Sequence, residues 1–290
     1  MSERFDHLVQ IMARLRGEGG CPWDRTQTRD SLKPYLVEEA YEVLDTIDAK
    51  DDAKLKEELG DVLLQVLFHA EIGRELHTFT IDDVLETLAE KLIRRHPHVF
   101  GEPTPNSPVV KTAAEVLHRW EEIKRKEKTD RAGDGEEESV LEGVPRALPS
   151  LLRAYQLQVR AARVGFDWPA GEHGYDQVVA KVHEELKEVD EARGDALRSE
   201  SDAARRRLED EVGDLLFSLV NLARHLTVNP EEALRGAVNR FSDRFVYMER
   251  AARAEGRALG AMTATDMDRL WNAAKAAERE RPATREGPPS

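Results

Sequence analysis

Two stretches of this sequence place acids where helical geometry would gather them around a cation. In the second half, Glu184-Glu185-Leu-Lys-Glu188 is followed by Glu211-Val-Gly-Asp214 and then by the apolar run LLFSLV. Helical positions three apart lie on one face, one turn above the other. Glu185 therefore projects with Glu188, and Glu211 with Asp214. If the two helices pack antiparallel, four carboxylates converge between them. Neighbouring carboxylates repel by up to about 4 kcal/mol per pair at an effective dielectric near 20. Such a pocket calls for a cation, and hard oxygen donors select Mg²⁺, with Mn²⁺ as the substitute. Gly213 costs the helix up to about 1 kcal/mol relative to alanine, which points to close approach by a ligand or a neighbouring helix.

An isolated E-E-x-x-E run is commonplace in a chain with 57 acids among 290 residues, and one copy would read as a solvated helix face. Here the pattern occurs twice. The first half carries Glu38-Glu39-Ala-Tyr-Glu42, then Glu58-Leu-Gly-Asp61 and VLLQVLF. Gly20-Cys-Pro-Trp-Asp24 is likewise echoed by Gly165-Phe-Asp-Trp168. The matches keep their order, as in a duplicated domain. Glu39, Glu42, Glu58 and Asp61 are thus a secondary candidate metal site; the competing reading of both copies is a salt-bridged bundle surface.

The halves differ beyond the acids. Lys181 lies one turn before Glu185, where the first half has Tyr35. Asn221 and Arg224 stand where the first half has Phe68 and Glu71. A triphosphate needs cationic and hydrogen-bonding partners as well as metal, so the second copy is the preferred active site. Arg207, one turn before Glu211, reads either as a phosphate ligand or as an exposed arginine. Arg240 and Arg244 form either a phosphate clamp or a solvated face. Trp271, paired with Lys275 at i, i+4, either stacks on a base or packs in the core. His96 and His98 flank Pro97 and read as a helix-ending loop. Trp23 and Trp168 are expected to pack on the helices that follow them.

The elements that must position these groups show periods of three and four throughout. Phe5, Leu8, Ile11, Met12 and Leu15 mark a first helix. Further helices are expected from about Leu32 or Pro34 to Ala49, Ala53 to His77, and Ile81 to Arg95, the last opened by an N-cap at Thr80 and closed by His96-Pro97. Helical stripes resume near Leu148 and persist to about Glu278. No convincing strand pattern appears, so the expected class is all-α, two tandem helical bundles. Residues 1–125 form the first, 126–143 a charged linker, 144–280 the second and 281–290 a disordered tail.

Net charge is −14, which argues against a nucleic-acid polymer as partner. Cys21 is the sole cysteine, so no intrachain disulfide forms. No apolar run approaches the roughly 20 residues that span a bilayer, and no signal-peptide core is evident. The expectation is a cytoplasmic protein without membrane contact.

The two acid sets, with GCPWD, RRHPHVFGE (94–102), RWEEIK (119–124), GFDW and VNLARH (220–225), resemble the MazG family of nucleoside triphosphate pyrophosphohydrolases, over nearly the whole chain. That resemblance implies an all-α homodimer that uses Mg²⁺ to split nucleoside triphosphates between the α and β phosphates, over a broad range of ribo- and deoxyribonucleotides. It implies Glu185, Glu188, Glu211 and Asp214 as metal ligands. It places Lys181, Arg240, Arg244, Trp271 and Lys275 where nucleotide contacts are expected, with Glu184, Arg207 and Asn221 added from their positions beside the acids. Water attacking the α-phosphorus in line would be oriented or deprotonated by Glu184 or Glu185. Relatives suggest removal of non-standard nucleotides or adjustment of nucleotide pools. Other readings are a narrower dUTP/dCTP or phosphoribosyl-ATP pyrophosphohydrolase and a non-catalytic helical interaction module. A di-iron bundle needs E-x-x-H pairs, which the acid motifs lack.

Overall fold

A computed structural model describes residues 3–101, 139–199 and 201–280, with Thr112, Glu115, Val116, Arg119, Trp120, Ile123 and Glu127 between the first two spans. Among these residues every regular element is helical, and the fold is all-α. The chain divides into two compact units, Met1–Gly135 and Glu136–Ser290. Most of the expected 126–143 linker and all of the expected 281–290 tail lie outside the described residues.

The first unit holds α1 (Glu3–Arg16), α2 (Pro22–Thr26), α3 (Lys33–Ala49), α4 (Asp52–Glu75), α5 (Ile81–Arg95) and the single turn α6 (Pro97–Phe100). Local chemistry sets the boundaries. Thr80 and Asp83 form a reciprocal capping box at the start of α5, satisfying donors that the first turn leaves unpaired. Asp51 accepts from the Lys54 amide to start α4. His96-Pro97 ends α5, as the residue before proline disfavours helix, and the chain turns once more instead of opening into a loop. The core gathers Met12, Leu32, Leu67, Phe68, Ala70, Ile72 and Ile81. α3 and α4 pack side by side along their length, joined by a two-residue turn at Lys50-Asp51, so they run antiparallel.

The second unit holds α7 (Ser150–Arg163), α8 (Glu172–Arg198), α9 (Asp202–His225), α10 (Pro230–Ala254), a 3₁₀ turn (Leu259–Ala261) and α11 (Ala264–Glu280). Ser201 caps α9 through the Ala204 amide, and Asn229 caps α10 through the amides of Glu231 and Glu232. α8 and α9 form the most extensively packed helix pair, another antiparallel hairpin; α7 packs on α9 and α10, and α11 on α10. Met248, Ala252, Met262 and Leu270 form a buried cluster between α10 and α11. No helix of the described residues is long and apolar enough to cross a membrane.

Candidate active site

The α8–α9 hairpin brings the second set of acids together. Glu185, Glu188 and Glu211 each place a carboxylate oxygen within 4.8 Å of the other two. Glu185 is buried, at 5 % exposure, and the other two are half-buried. Burial raises the Glu188 pKa, and repulsion from Glu185 and Glu211 raises it further, with Lys181 opposing. Three hard oxygen donors that already repel one another suit a divalent cation such as Mg²⁺. Asp214, one turn beyond Glu211, is exposed and stands outside this trio; the expected convergence of four is one of three.

Lys181 reaches over the trio. Its Nζ lies 2.7 Å from Glu185 Oε1 and 3.0 Å from Glu184 Oε1. Hydrogen bonds to these two carboxylates, Glu185 first, hold its pKa well above the usual lysine value. Glu184 itself is exposed. Arg207 is exposed and shared between Asp195, at 2.6 Å, and Glu211, at 3.6 Å.

Gly213 corrects one expectation. A Cβ built there would meet no atom within 4 Å, and the same holds at Gly60. Among the described residues no neighbouring helix presses on either position, so packing among them does not explain the glycines.

The remaining cationic candidates form a second group on α10 and α11. The Arg244 guanidinium sits 5.5 Å from the Trp271 ring centroid, and Lys275 Nζ 5.8 Å from it. Arg244 is also paired to Glu278 at 2.7 Å. Arg244, Lys275, Glu278 and Arg279 line an open cleft of about 350 Å³. Trp271 packs on the α10–α11 core and against Phe241 while two cations face its ring, so both of its expected roles have a physical basis. Arg240 is exposed. The acids belong to α8 and α9, and neither α10 nor α11 packs broadly on α8.

Asn221 is nearly buried, at 6 % exposure, and its Oδ1 accepts two bonds from Arg224. Arg224 is not a spare cation for phosphate: it is paired in a bidentate fork with Asp167, a residue that sequence reasoning missed. The signal was present, since Asp167 aligns with Pro22 and Arg224 with Glu71. The pair arises where both halves change.

In the first unit the trio within 4.8 Å is Glu39, Glu58 and Asp61, which takes in the counterpart of Asp214 and leaves out that of Glu188. Burial raises the pKa of Glu39 and Glu58, and neighbouring acids, Glu42 among them, raise both further. Glu42 is exposed and outside the trio. The groups that replace Lys181 and Asn221 here are aromatic and share a partner: Tyr35 and Phe68 both lie edge-on to Trp23, at 5.8 and 6.3 Å. Trp23 and Trp168 keep 49 % and 37 % exposure, so neither is a core residue.

Comparison with known proteins gives this arrangement its family. Residues 27–100 match the model of the MazG nucleotide pyrophosphohydrolase domain. A Thermotoga maritima protein named nucleoside triphosphate pyrophosphohydrolase/pyrophosphatase MazG is 47 % identical over 93 % of this chain and 95 % of its own length. The chain belongs to the MazG family. An Escherichia coli K12 nucleoside triphosphate pyrophosphohydrolase is 42 % identical to this MazG-family chain, over 95 % of it and 98 % of the relative. A crystal structure of a MazG-related protein from Thermotoga maritima matches 41 % of the chain and 98 % of its own, at 26 % identity and a TM-score of 0.34. Membership puts the chain among hydrolases acting on phosphoric anhydride bonds. The domain model falls on the first unit, whereas the lysine-bearing acids of this MazG-family chain lie in the second; the two relatives span both.

Proposed function

We propose that this chain is a Mg²⁺-dependent nucleoside triphosphate pyrophosphohydrolase of broad ribo- and deoxyribonucleotide range, converting NTP and water to NMP and diphosphate, with its active site in the second unit. The observation that carries this reading is the trio Glu185, Glu188 and Glu211 with Lys181 poised over it. The names of the relatives support the reaction class. Mg²⁺ held by the trio would offset the acids, lower the pKa of a coordinated water and stabilise charge on the leaving diphosphate. Glu184, outside the trio, is the carboxylate left to orient the attacking water. Lys181 exchanges carboxylate for phosphate as its partner, which costs little because one charge-assisted bond replaces another.

A homodimer is part of this reading. Leu234, Val238, Phe241 and Phe245 recur at helical spacing along α10 and are all exposed, as are Leu216 and Phe217 on α9. An apolar stripe of this kind is the usual sign of a protein contact. A second copy would cover it, and could bring the Arg240, Arg244 and Trp271 group to the acids of its partner.

The deciding experiment is product analysis with ATP and Mg²⁺. AMP with pyrophosphate is expected; ADP with orthophosphate overturns the reading. Sedimentation of the Phe241→Lys variant as a monomer, against a wild-type dimer, is the expected result for the assembly.

A further inference from the structure

Beside the site, a chain of three polar side chains runs from the loop before α8 to the face of α9. Asp167 receives Arg224 Nη1 at 2.9 Å and Nη2 at 2.5 Å, and His225 Nε2 lies 3.3 Å from the same carboxylate. Arg224 in turn gives Nε and Nη2 to Asn221 Oδ1, at 3.0 and 2.7 Å. Arg224 is 13 % exposed and Asp167 23 %. A guanidinium has donors and no acceptor, so only the oxygen of the Asn221 amide can face it. The amide orientation is thereby fixed by chemistry. Its two N–H donors point away from Arg224, and among the described residues they meet no acceptor.

Asn221 stands seven residues beyond Asp214 on α9. At 1.5 Å and 100° per residue that is about 10 Å along the axis and within roughly 20° of the same direction. This is on the order of the distance from a nucleotide's α-phosphate to its base. We propose that Asp167 and Arg224 are positioning residues that lock the Asn221 amide so that it donates to an oxygen or ring nitrogen at the nucleoside end of the substrate. The inference rests on the second unit's being the nucleotide site.

The first unit supports a ligand-directed purpose. Pro22, Phe68 and Glu71 stand in place of all three members, Phe68 turns its ring to Trp23, and the Glu71 carboxylate is taken by Arg74 at 2.6 Å. The hairpin and its acid trio form there without the network. Its presence where Lys181 is also present ties it to the equipped site rather than to the fold of the hairpin.

Asn221→Asp is the decisive variant, since aspartate still accepts from Arg224 but has no donor to give. The full chain with Mg²⁺ and ATP is expected to show KM raised about tenfold, kcat within about twofold and an unchanged or higher Tm, a tenfold change being that of one hydrogen bond to ligand. Asp167→Asn is expected to raise KM severalfold, and combining it with Asn221→Asp to add nothing further, because Asp167 acts through the amide. An active wild type whose KM is unmoved by Asn221→Asp overturns the proposal, as do effects of the two substitutions that multiply. Should Asp167→Asn fail to fold, Asn221→Asp alone still decides. A wild-type chain that releases no pyrophosphate overturns the functional reading instead.

Discussion

Lys181 holds its ammonium 2.7 Å from the buried carboxylate of Glu185 and 3.0 Å from that of Glu184. One positive charge thus moderates a cluster in which Glu185, Glu188 and Glu211 repel one another within 4.8 Å. The lysine and a divalent cation are competitors in the electrostatics of this pocket, though partners in binding phosphate.

Replacing Lys181 by methionine keeps the aliphatic stem and removes the charge. The metal-free protein should lose Tm by about 2–4 °C, the equivalent of roughly 1 kcal/mol in a unit of this size once the partial exposure of the pair is allowed for. Mg²⁺ should restore most of the loss, because its charge does what the ammonium did. Differential scanning fluorimetry with and without Mg²⁺ measures both. Equal stability of variant and wild type in the absence of metal would show that the lysine does not moderate the cluster.

The two trios differ in membership, Glu39, Glu58 and Asp61 against Glu185, Glu188 and Glu211, and in their surroundings, and the catalytic consequences should differ. Glu185→Gln removes a buried ligand from the trio that has Lys181 and Asn221, and kcat should fall by about 10² or more, the scale seen when one charge-stabilising group leaves a site. Glu39→Gln changes the trio flanked by Tyr35, Phe68 and Trp23, and turnover should stay within about twofold. Pyrophosphate release by each purified variant is the measurement. A larger loss from Glu39→Gln would move the active site to the first unit.

Helix boundaries were legible wherever a short-range signal sets them. The Thr80 N-cap, the stop at His96-Pro97 and the hairpins of acids are all encoded within a few residues. The all-α class followed from periodicity, and the family from motifs whose order spans the chain. Contacts between distant segments were not legible. The reach of Arg224 to Asp167 crosses 57 residues, and nothing local to either residue names the other. Periodicity also placed Glu211 and Asp214 on one face, but a face is wide enough to hold one carboxylate in the cluster and another in solvent.

Gly213 offers a test of what approaches α9 from outside the chain. A Cβ there would meet nothing within 4 Å, and glycine costs a helix interior about 1 kcal/mol relative to alanine. Gly213→Ala should therefore raise Tm by about 2–4 °C in the metal-free, nucleotide-free protein. The same methyl group, one residue from Asp214, should raise KM for the nucleotide if ligand or partner helix comes close at that point. Thermal melts and steady-state kinetics on the one variant separate the two effects. A stabilised variant with wild-type KM would show that the open space is not used in binding.

Asp167 sets a pH dependence whose sign is fixed by its surroundings. Burial alone would raise its pKa, but the two bonds and the charge of Arg224, helped by His225, outweigh burial and hold it below the ordinary 3.8. The folded state therefore binds this proton less readily than the unfolded chain. The stability it contributes is complete above the unfolded pKa and is lost as pH falls through the lower, folded value. Asp167→Asn cannot make the ion pair at any pH. The variant should be less stable than wild type by about 1–2 kcal/mol at neutral pH, the scale of a charge-assisted bond with some exposure. That difference should shrink as pH drops below about 3.8. Urea denaturation of both proteins at stepped pH gives the comparison. A gap that stays constant into the acid range would assign the stability to the hydrogen-bond geometry, which asparagine disturbs at every pH, rather than to the charge.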